Sequence, residues 1–184
     1  MSKLPKRFPV TPQYLKARGI SINAPYDRFS KFLQNEDDVF AVAVDMPVSS
    51  SKNGAEGPGN VLATAVAYAN GAANIYFNNG VDYTGAASKY VAVVKAGQML
   101  VFQAGRVLDR AEKAETLDLP TELCYNCFFV TKNGTFHYVY RPNELPEDDK
   151  EGRLFHYCVT NLMKELHQAQ LKDGIAKTVN GGRK

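Results

Sequence analysis

Two stretches of the chain alternate side chains with the period of two that a β-strand imposes, and each is broken by Asn-Gly. The first runs from Val61 to Ala69, turns at Asn70-Gly71 and continues from Ala72 to Phe77. In the second, Cys124 to Thr131 and Thr135 to Arg141 flank Asn133-Gly134. Both residue types tolerate the positive φ of a type I′ turn, so each stretch predicts a hairpin. A two-residue loop at Asn70-Gly71 sets Val66 against Ile75, Thr64 against Phe77 and Tyr68 against Ala73. One face of that hairpin is then Ala63, Ala65, Ala67 and Ala69, across from Asn74, Tyr76 and Asn78. In the second hairpin Tyr125, Cys127 and Phe129 share a face with Tyr140, Tyr138 and Phe136. Asn126, Phe128 and Val130 share the other with Arg141, Val139 and His137. Apolar groups on both faces imply cover on both.

Val39 to Met46 adds a fifth strand, with Phe40, Val42, Val44 and Met46 on one side and Val39, Ala41, Ala43 and Asp45 on the other. Helical periods follow. Tyr26, Phe29, Phe32 and Leu33 mark a short helix starting near Asn23, with Pro25 in its first turn. Residues 88–115 carry the longest helical pattern, with Tyr90, Val94, Val101, Leu108 and Ala111 on its buried side and Gly97, Ala104 and Gly105 in the same stripe. Glycine inside a helix costs about 1 kcal/mol relative to alanine. A small-residue contact supplies a reason: Ala41, Ala43, Ala63, Ala65 and Ala67 are expected to meet Ala92, Gly97, Ala104 and Gly105. Residues 154–171 form the last helix, with Leu154, Cys158, Leu162 and Leu166 in a row beside Phe155, Val159 and Met163. This order predicts an α+β domain: about five antiparallel strands with helices packed on them. In element order it resembles the profilin-like and roadblock-like architectures, where a helix joins two groups of antiparallel strands.

The chain has 184 residues, enough for one domain with its own core. That domain is expected over 23–172, between a basic arm at 1–22 and a disordered tail at 173–184. The net charge of +3 is uneven: the first 23 residues carry +5, residues 172–184 carry +3, and the body between them −5. Pro5, Pro9 and Pro12 exclude a long helix in the arm. Its apolar residues (Leu4, Phe8, Val10, Tyr14, Leu15, Ile20, Ile22) point to docking, on its own body or on a partner. The Ser, Gly and Pro content of 48–60 predicts a mobile loop. No apolar run is long enough to span a bilayer, no signal-peptide core follows Met1, and three cysteines do not build a disulfide framework. A cytoplasmic protein is expected.

For chemistry, Cys124-Tyr-Asn-Cys127 lies in a strand, which sends its thiols to opposite faces, and no second ligand pair completes a zinc site. With Cys158 these read as structural cysteines. His137, His156 and His167 match no catalytic spacing. Polar and flexible residues concentrate at one strand-to-helix junction: Asn78, Asn79, Gly80, Asp82, Thr84, Gly85, Ser88 and Lys89. A helix N-terminus with a lysine can bind an anion. The spacing is neither G-x-G-x-x-G nor Walker A, and Asp82 would repel a phosphate. A plain connecting loop, with Thr84 or Ser88 as N-cap, is the competing reading. The aromatic set Tyr125, Phe129, Phe136, Tyr138 and Tyr140 suits a core or a subunit interface better than base stacking, since only Lys132 and Arg141 bring positive charge nearby.

The function these features point to is a non-catalytic, protein-binding α+β module, homodimeric, with no cofactor, metal, membrane or nucleic-acid partner. The alternative is a small-molecule or anion-binding protein, or an enzyme, with its site at Asn79–Lys89 and with Asp45 and Tyr76 contributing.

Overall fold

A computed structural model describes residues 8–48 and 61–175. The first seven residues of the arm, most of the predicted mobile loop and the tail from 176 lie outside the described residues. The described residues contain three α-helices: α1 (Pro12–Ile22), α2 (Val91–Arg106) and α3 (Lys150–Lys172). The strands are β1 (Ala41–Val48), β2 (Val61–Tyr68), β3 (Ala73–Phe77), β4 (Asp82–Tyr83), β5 (Glu112–Lys113), β6 (Tyr125–Thr131) and β7 (Gly134–Tyr140). They form one antiparallel sheet in the order β4-β3-β2-β1-β6-β7-β5. The fold is α+β, as expected, but the sheet has seven strands rather than about five. The two extra strands, β4 and β5, are the edges. At two residues each they are too short to leave a periodicity in the sequence.

The first hairpin closes one residue away from the expected register. Gly71 N–H donates to Tyr68 C=O (2.8 Å) and Tyr68 N–H to Ala72 C=O (2.9 Å), so the loop is Ala69-Asn70-Gly71, with Gly71 at φ +85°. A three-residue loop ending in a left-handed glycine is the next commonest hairpin after the two-residue type. Ala65 therefore pairs with Ile75, and Ala67 with Ala73. A one-residue slip exchanges the faces of the whole strand. Ala63, Ala65 and Ala67 share a buried face with Ile75 and Ala73, whereas Tyr76 lies on the opposite side with Val66. In the second hairpin the loop is Lys132-Asn133 rather than Asn133-Gly134. The expected faces are kept there: Tyr125, Cys127 and Phe129 pair with Tyr140, Tyr138 and Phe136.

Each face of the sheet carries its own core. On one side α2 and α3 cover Val42, Val44, Ala63, Ala65, Ile75 and Phe129. On the other, α1 and the turns at Tyr26–Arg28 and Ser30–Phe32 cover Phe40, Ala43, Leu62, Val66 and Phe128. The predicted short helix after Asn23 is thus two turns of 3₁₀ helix. Pro12 does not break α1 but opens it, at the first helical position where the missing N–H is not needed, and the Thr11 side chain caps the Tyr14 N–H (3.3 Å).

The expected alanine–glycine contact exists in part. A Cβ on Gly97 would lie 3.7 Å from the Cβ of both Ala67 and Ala73 and 3.4 Å from the Gly71 carbonyl, so α2 crosses β2 and β3 at its closest there. Ala41 and Ala43 are on the other face, under α1. Gly105 is exposed, and among the described residues nothing lies within 4 Å of its Cβ position. The helical pattern at 88–115 also ends early: α2 stops at Arg106, and α3, at 23 residues, is the longest helix among the described residues.

Candidate functional site

The polar junction between β3 and α2 resolves into a connecting loop that is tied to the end of α3. Asn79 Oδ1 accepts from Val81 N–H (3.0 Å), Gly80 and Gly85 take positive φ, and Ser88 Oγ donates to Gly85 C=O (2.7 Å). Asp82 and Thr84 face solvent. Tyr90, not Thr84 or Ser88, is the residue before the first turn of α2. Three donors from this segment meet one carboxylate: Tyr83 OH (2.9 Å) and Lys89 Nζ (3.0 Å) on Asp173 Oδ2, and Tyr90 OH (2.6 Å) on Oδ1. Asp173 caps α3. Hydrogen bonds from Tyr90, Lys89 and Tyr83 hold its pKa down at about 2, and burial with the hydrogen bond to Asp173 pushes the Tyr83 phenol to about 12. The junction therefore does gather donors for an anion, and the anion they hold is the chain's own.

Asp45 and Tyr76, grouped with that junction in the sequence, lie on the α1 side of the sheet. Asp45 is fully buried. Arg18 from α1 donates to it through Nε (2.9 Å) and Nη2 (2.6 Å), Thr64 Oγ1 donates at 2.7 Å and Asn126 Nδ2 at 2.9 Å. Thr64 spends its only proton on Asp45, so the 2.6 Å contact with Tyr14 has the phenol as donor. Arg18 also donates to the Leu117 carbonyl (2.7 Å), and Asn126 Oδ1 accepts from His137 Nε2. Burial works to lower the Arg18 pKa, but its hydrogen bonds and attraction to Asp45 outweigh that and leave it raised. Burial, then the Asp45 charge, keeps the Tyr14 phenol protonated. Among the described residues no buried side-chain nitrogen or oxygen lacks a hydrogen bond, and through the Leu117 and Asp118 carbonyls this cluster ties α1 and the 117–118 segment to the sheet. Tyr76 OH accepts from Ser21 Oγ (3.0 Å) in the same layer.

The aromatic face of the second hairpin lies beneath α3. Phe129 and Tyr140 are buried, with their rings 5.5 and 5.8 Å from Phe155; Tyr125, Phe136 and Tyr138 are half-buried around them. At the edge of this layer a cleft of about 310 Å³ is lined by Cys124, Tyr125, His156, Pro47, Pro142 and Asn143. Burial raises the Cys124 thiol and lowers the His156 imidazole, so both are neutral near pH 7. The Tyr140 hydroxyl and His156 Nδ1 share a hydrogen bond (3.1 Å). Cys124 and His156 line the same cleft, and the nucleophilic form of a cysteine is the thiolate, which burial disfavours. Cys127 and Cys158 are buried and free. Among the described residues no three His, Cys, Asp or Glu side chains stand close enough to hold a metal ion, and no helix is long and apolar enough to cross a membrane.

Large apolar side chains are exposed on several elements, among them Ile20 on α1 and Tyr157 on α3, and three of them lie on the outer face of α2. Val91 is 67% exposed, Met99 52% and Phe102 69%, spaced along the side of the helix turned away from the sheet. Beside Phe102 runs a cleft of about 500 Å³ between α2 and the 32–39 segment, walled by Phe32, Leu33, Val101 and Leu108 and rimmed by Asp37, Asp38 and Arg106. Single exposed apolar residues are ordinary, but a row of them beside a cleft is the usual mark of an interaction site. No match to this chain is found among protein-family models, curated proteins or solved structures. The site stands on its geometry.

The sequence pointed to the Asn79–Lys89 junction and the aromatic face, and missed both the Arg18–Asp45 cluster and the open face of α2. For α2 a signal was present, since Met99 and Phe102 fall outside the buried stripe; Gly105, expected within that stripe, is exposed instead.

Proposed function

We propose that the protein is a non-catalytic protein-interaction module of the cytoplasm that works as a homodimer, with the outer face of α2 and its flanking cleft as the docking surface. The observation that carries this reading is the exposure of Phe102 and Met99 next to a cleft walled by Phe32 and Leu33. Large aromatic residues beside a pocket are what interface hot spots are made of. The aromatic face of the second hairpin is the weaker choice for the interface, because Phe129 and Tyr140 are already packed on Phe155. The element order, with α2 joining two groups of antiparallel strands, supports a profilin- or roadblock-like layout.

The test is mass as a function of concentration by light scattering. The wild-type chain is expected to approach twice its 20.3 kDa monomer mass in the micromolar range, and Phe102→Glu to remain monomeric with its fold intact. A wild-type chain that stays monomeric at 100-fold higher concentration would overturn the reading. A second reading, anion binding at the junction, is favoured by one observation, the convergence of Tyr83, Lys89 and Tyr90 on Asp173. On that reading Asp173→Ala opens a site that takes up inorganic phosphate or acetate, read by calorimetry; no heat from either anion counts against it.

A further inference from the structure

The outer side of α3 carries unpaired positive charge. Lys150, Arg153, Tyr157, Thr160, Lys164 and Gln168 follow one another at spacings of three and four residues, so they form one stripe along the helix, and every one is exposed. The buried row of Phe155, Val159, Leu162 and Leu166 takes the opposite side. No acid falls on the stripe. Of the two in α3, Glu151 turns to α2, where it accepts from Gln103 Nε2 (2.6 Å) and Arg106 Nη2 (3.4 Å), and Glu165 is half-buried. Arginines elsewhere are engaged: Arg18, Arg106, Arg110 and Arg141 each pair with a carboxylate, and Arg28 lies over the Phe29 ring. Among the described residues Arg153 is the one arginine with neither kind of partner, and Lys150 and Lys164 form no ion pair there either. Lys150 and Arg153 also open α3, where the positive end of the helix dipole repels a cation. Charge set against the dipole and left unpaired costs the chain stability.

We infer that this stripe docks a short acidic segment of a different protein. The charges select the sign of the partner, and the apolar tips between them select its pattern. Tyr157 is 60% exposed midway between Arg153 and Lys164, with Leu154 beside it at 44%. Tyrosine and arginine are the residue types that interface hot spots favour. The matching segment carries acids on both sides of one or two apolar residues. From Lys150 to Lys164 the stripe runs about 21 Å, the length of about four turns of a partner helix. A broad polyanion fits it less well. Glu147 and Asp148, both exposed, stand immediately before α3 and repel an anionic bilayer or a long nucleic acid at that end, whereas a short segment stops before them. The stripe makes no use of Phe102 or the cleft beside α2, so it stands whether or not the homodimer forms.

The probe is a labelled amphipathic helical peptide of about four turns, with leucines along one side and glutamates flanking them, titrated with the full chain by fluorescence anisotropy. It is expected to bind about tenfold or more tightly than a scrambled peptide of the same composition, and less tightly as salt rises. Tyr157→Ala, and Arg153→Glu combined with Lys164→Glu, are each expected to weaken it about tenfold. The charge pair keeps its fold, since Arg153→Glu places an acid at the positive end of the helix dipole and the thermal midpoint does not fall. A second peptide with lysine for glutamate binds the charge pair and not the wild type. Phe102→Glu binds the acidic peptide as the wild type does, which separates this surface from the dimer contact. No binding of the acidic peptide, equal binding of the scrambled one, or variants that change nothing would each overturn the inference. Tighter binding to phosphatidylserine vesicles or to single-stranded RNA, lost in the same variants, overturns the protein partner and gives the stripe to a bilayer or a nucleic acid.

Discussion

Single residues decide this fold at two places, and both are sharply testable. Asp45 and Arg18 are a buried ion pair whose remaining hydrogen-bonding positions are filled by Thr64, Asn126 and the Leu117 carbonyl. Removing one member leaves the other charged in the interior, so Arg18→Met is expected to cost about 3–5 kcal/mol in urea denaturation; a loss below 1 kcal/mol would mean that water reaches Asp45. At Gly71 two constraints coincide: φ is +85°, and a Cβ would lie 2.5 Å from Val94 Cγ1. Nearby, Gly97→Leu forces a side chain against Ala67 and Ala73 and is expected to destabilise by about 1–3 kcal/mol through overpacking. An unchanged denaturation midpoint for that variant would show that α2 can ride up from the sheet. Asp45 was named from the sequence, but with the wrong neighbours, and its pairing with Arg18 was not legible there. Asp45 sits at the end of an apolar alternation and Arg18 in a basic arm, and only the docking of α1 brings them together over 27 positions.

Among the elements, the hairpins show how the period of two protects some predictions and not others. The second hairpin closes at Lys132-Asn133 instead of Asn133-Gly134, which moves its register by two residues and returns every side chain to the expected face. The first closes around three residues, which moves its register by one and exchanges the faces. Gly71, which ends that loop, lies against Val94 on α2, a contact made across the fold. In the same way Asn79–Lys89 was readable as a polar loop, but not its partner, which lies at the end of α3. That link sets a pH dependence. The Asp173 pKa is lowered to about 2 in the folded chain against an ordinary value of about 4 in the unfolded one, so the tie is fully present above about pH 4 and is lost as pH falls toward 2. Hydrogen exchange at the C-terminal turn of α3 is expected to accelerate over that window, and Asp173→Asn to show the fast rate at neutral pH. His156 acts at milder acidity. Burial lowers its pKa, so the unfolded chain takes up a proton first, and stability declines as pH falls below about 6.5. A flat stability profile between pH 7 and 5 that does not change in His156→Gln would contradict this.

At the scale of the whole molecule, the two cores leave the sheet covered on both sides, by α1 on one and α2 with α3 on the other. The second hairpin had announced this through apolar residues on both its faces. If the homodimer forms, its association is linked to folding, and the thermal midpoint rises with protein concentration; a midpoint constant across a hundredfold range would weigh against it. The edges of the sheet bear on how such a dimer can form. Among the described residues the outermost strands are β4, with Asp82 on it, and β5, made of Glu112 and Lys113. A two-residue strand carrying charge gives a second chain almost no backbone ladder to extend. Copies of this protein are thereby discouraged from joining sheet to sheet into open-ended arrays. If the proposed homodimer forms through the outer face of α2, its contact is helical and finite, the kind on which assembly stops at a closed pair.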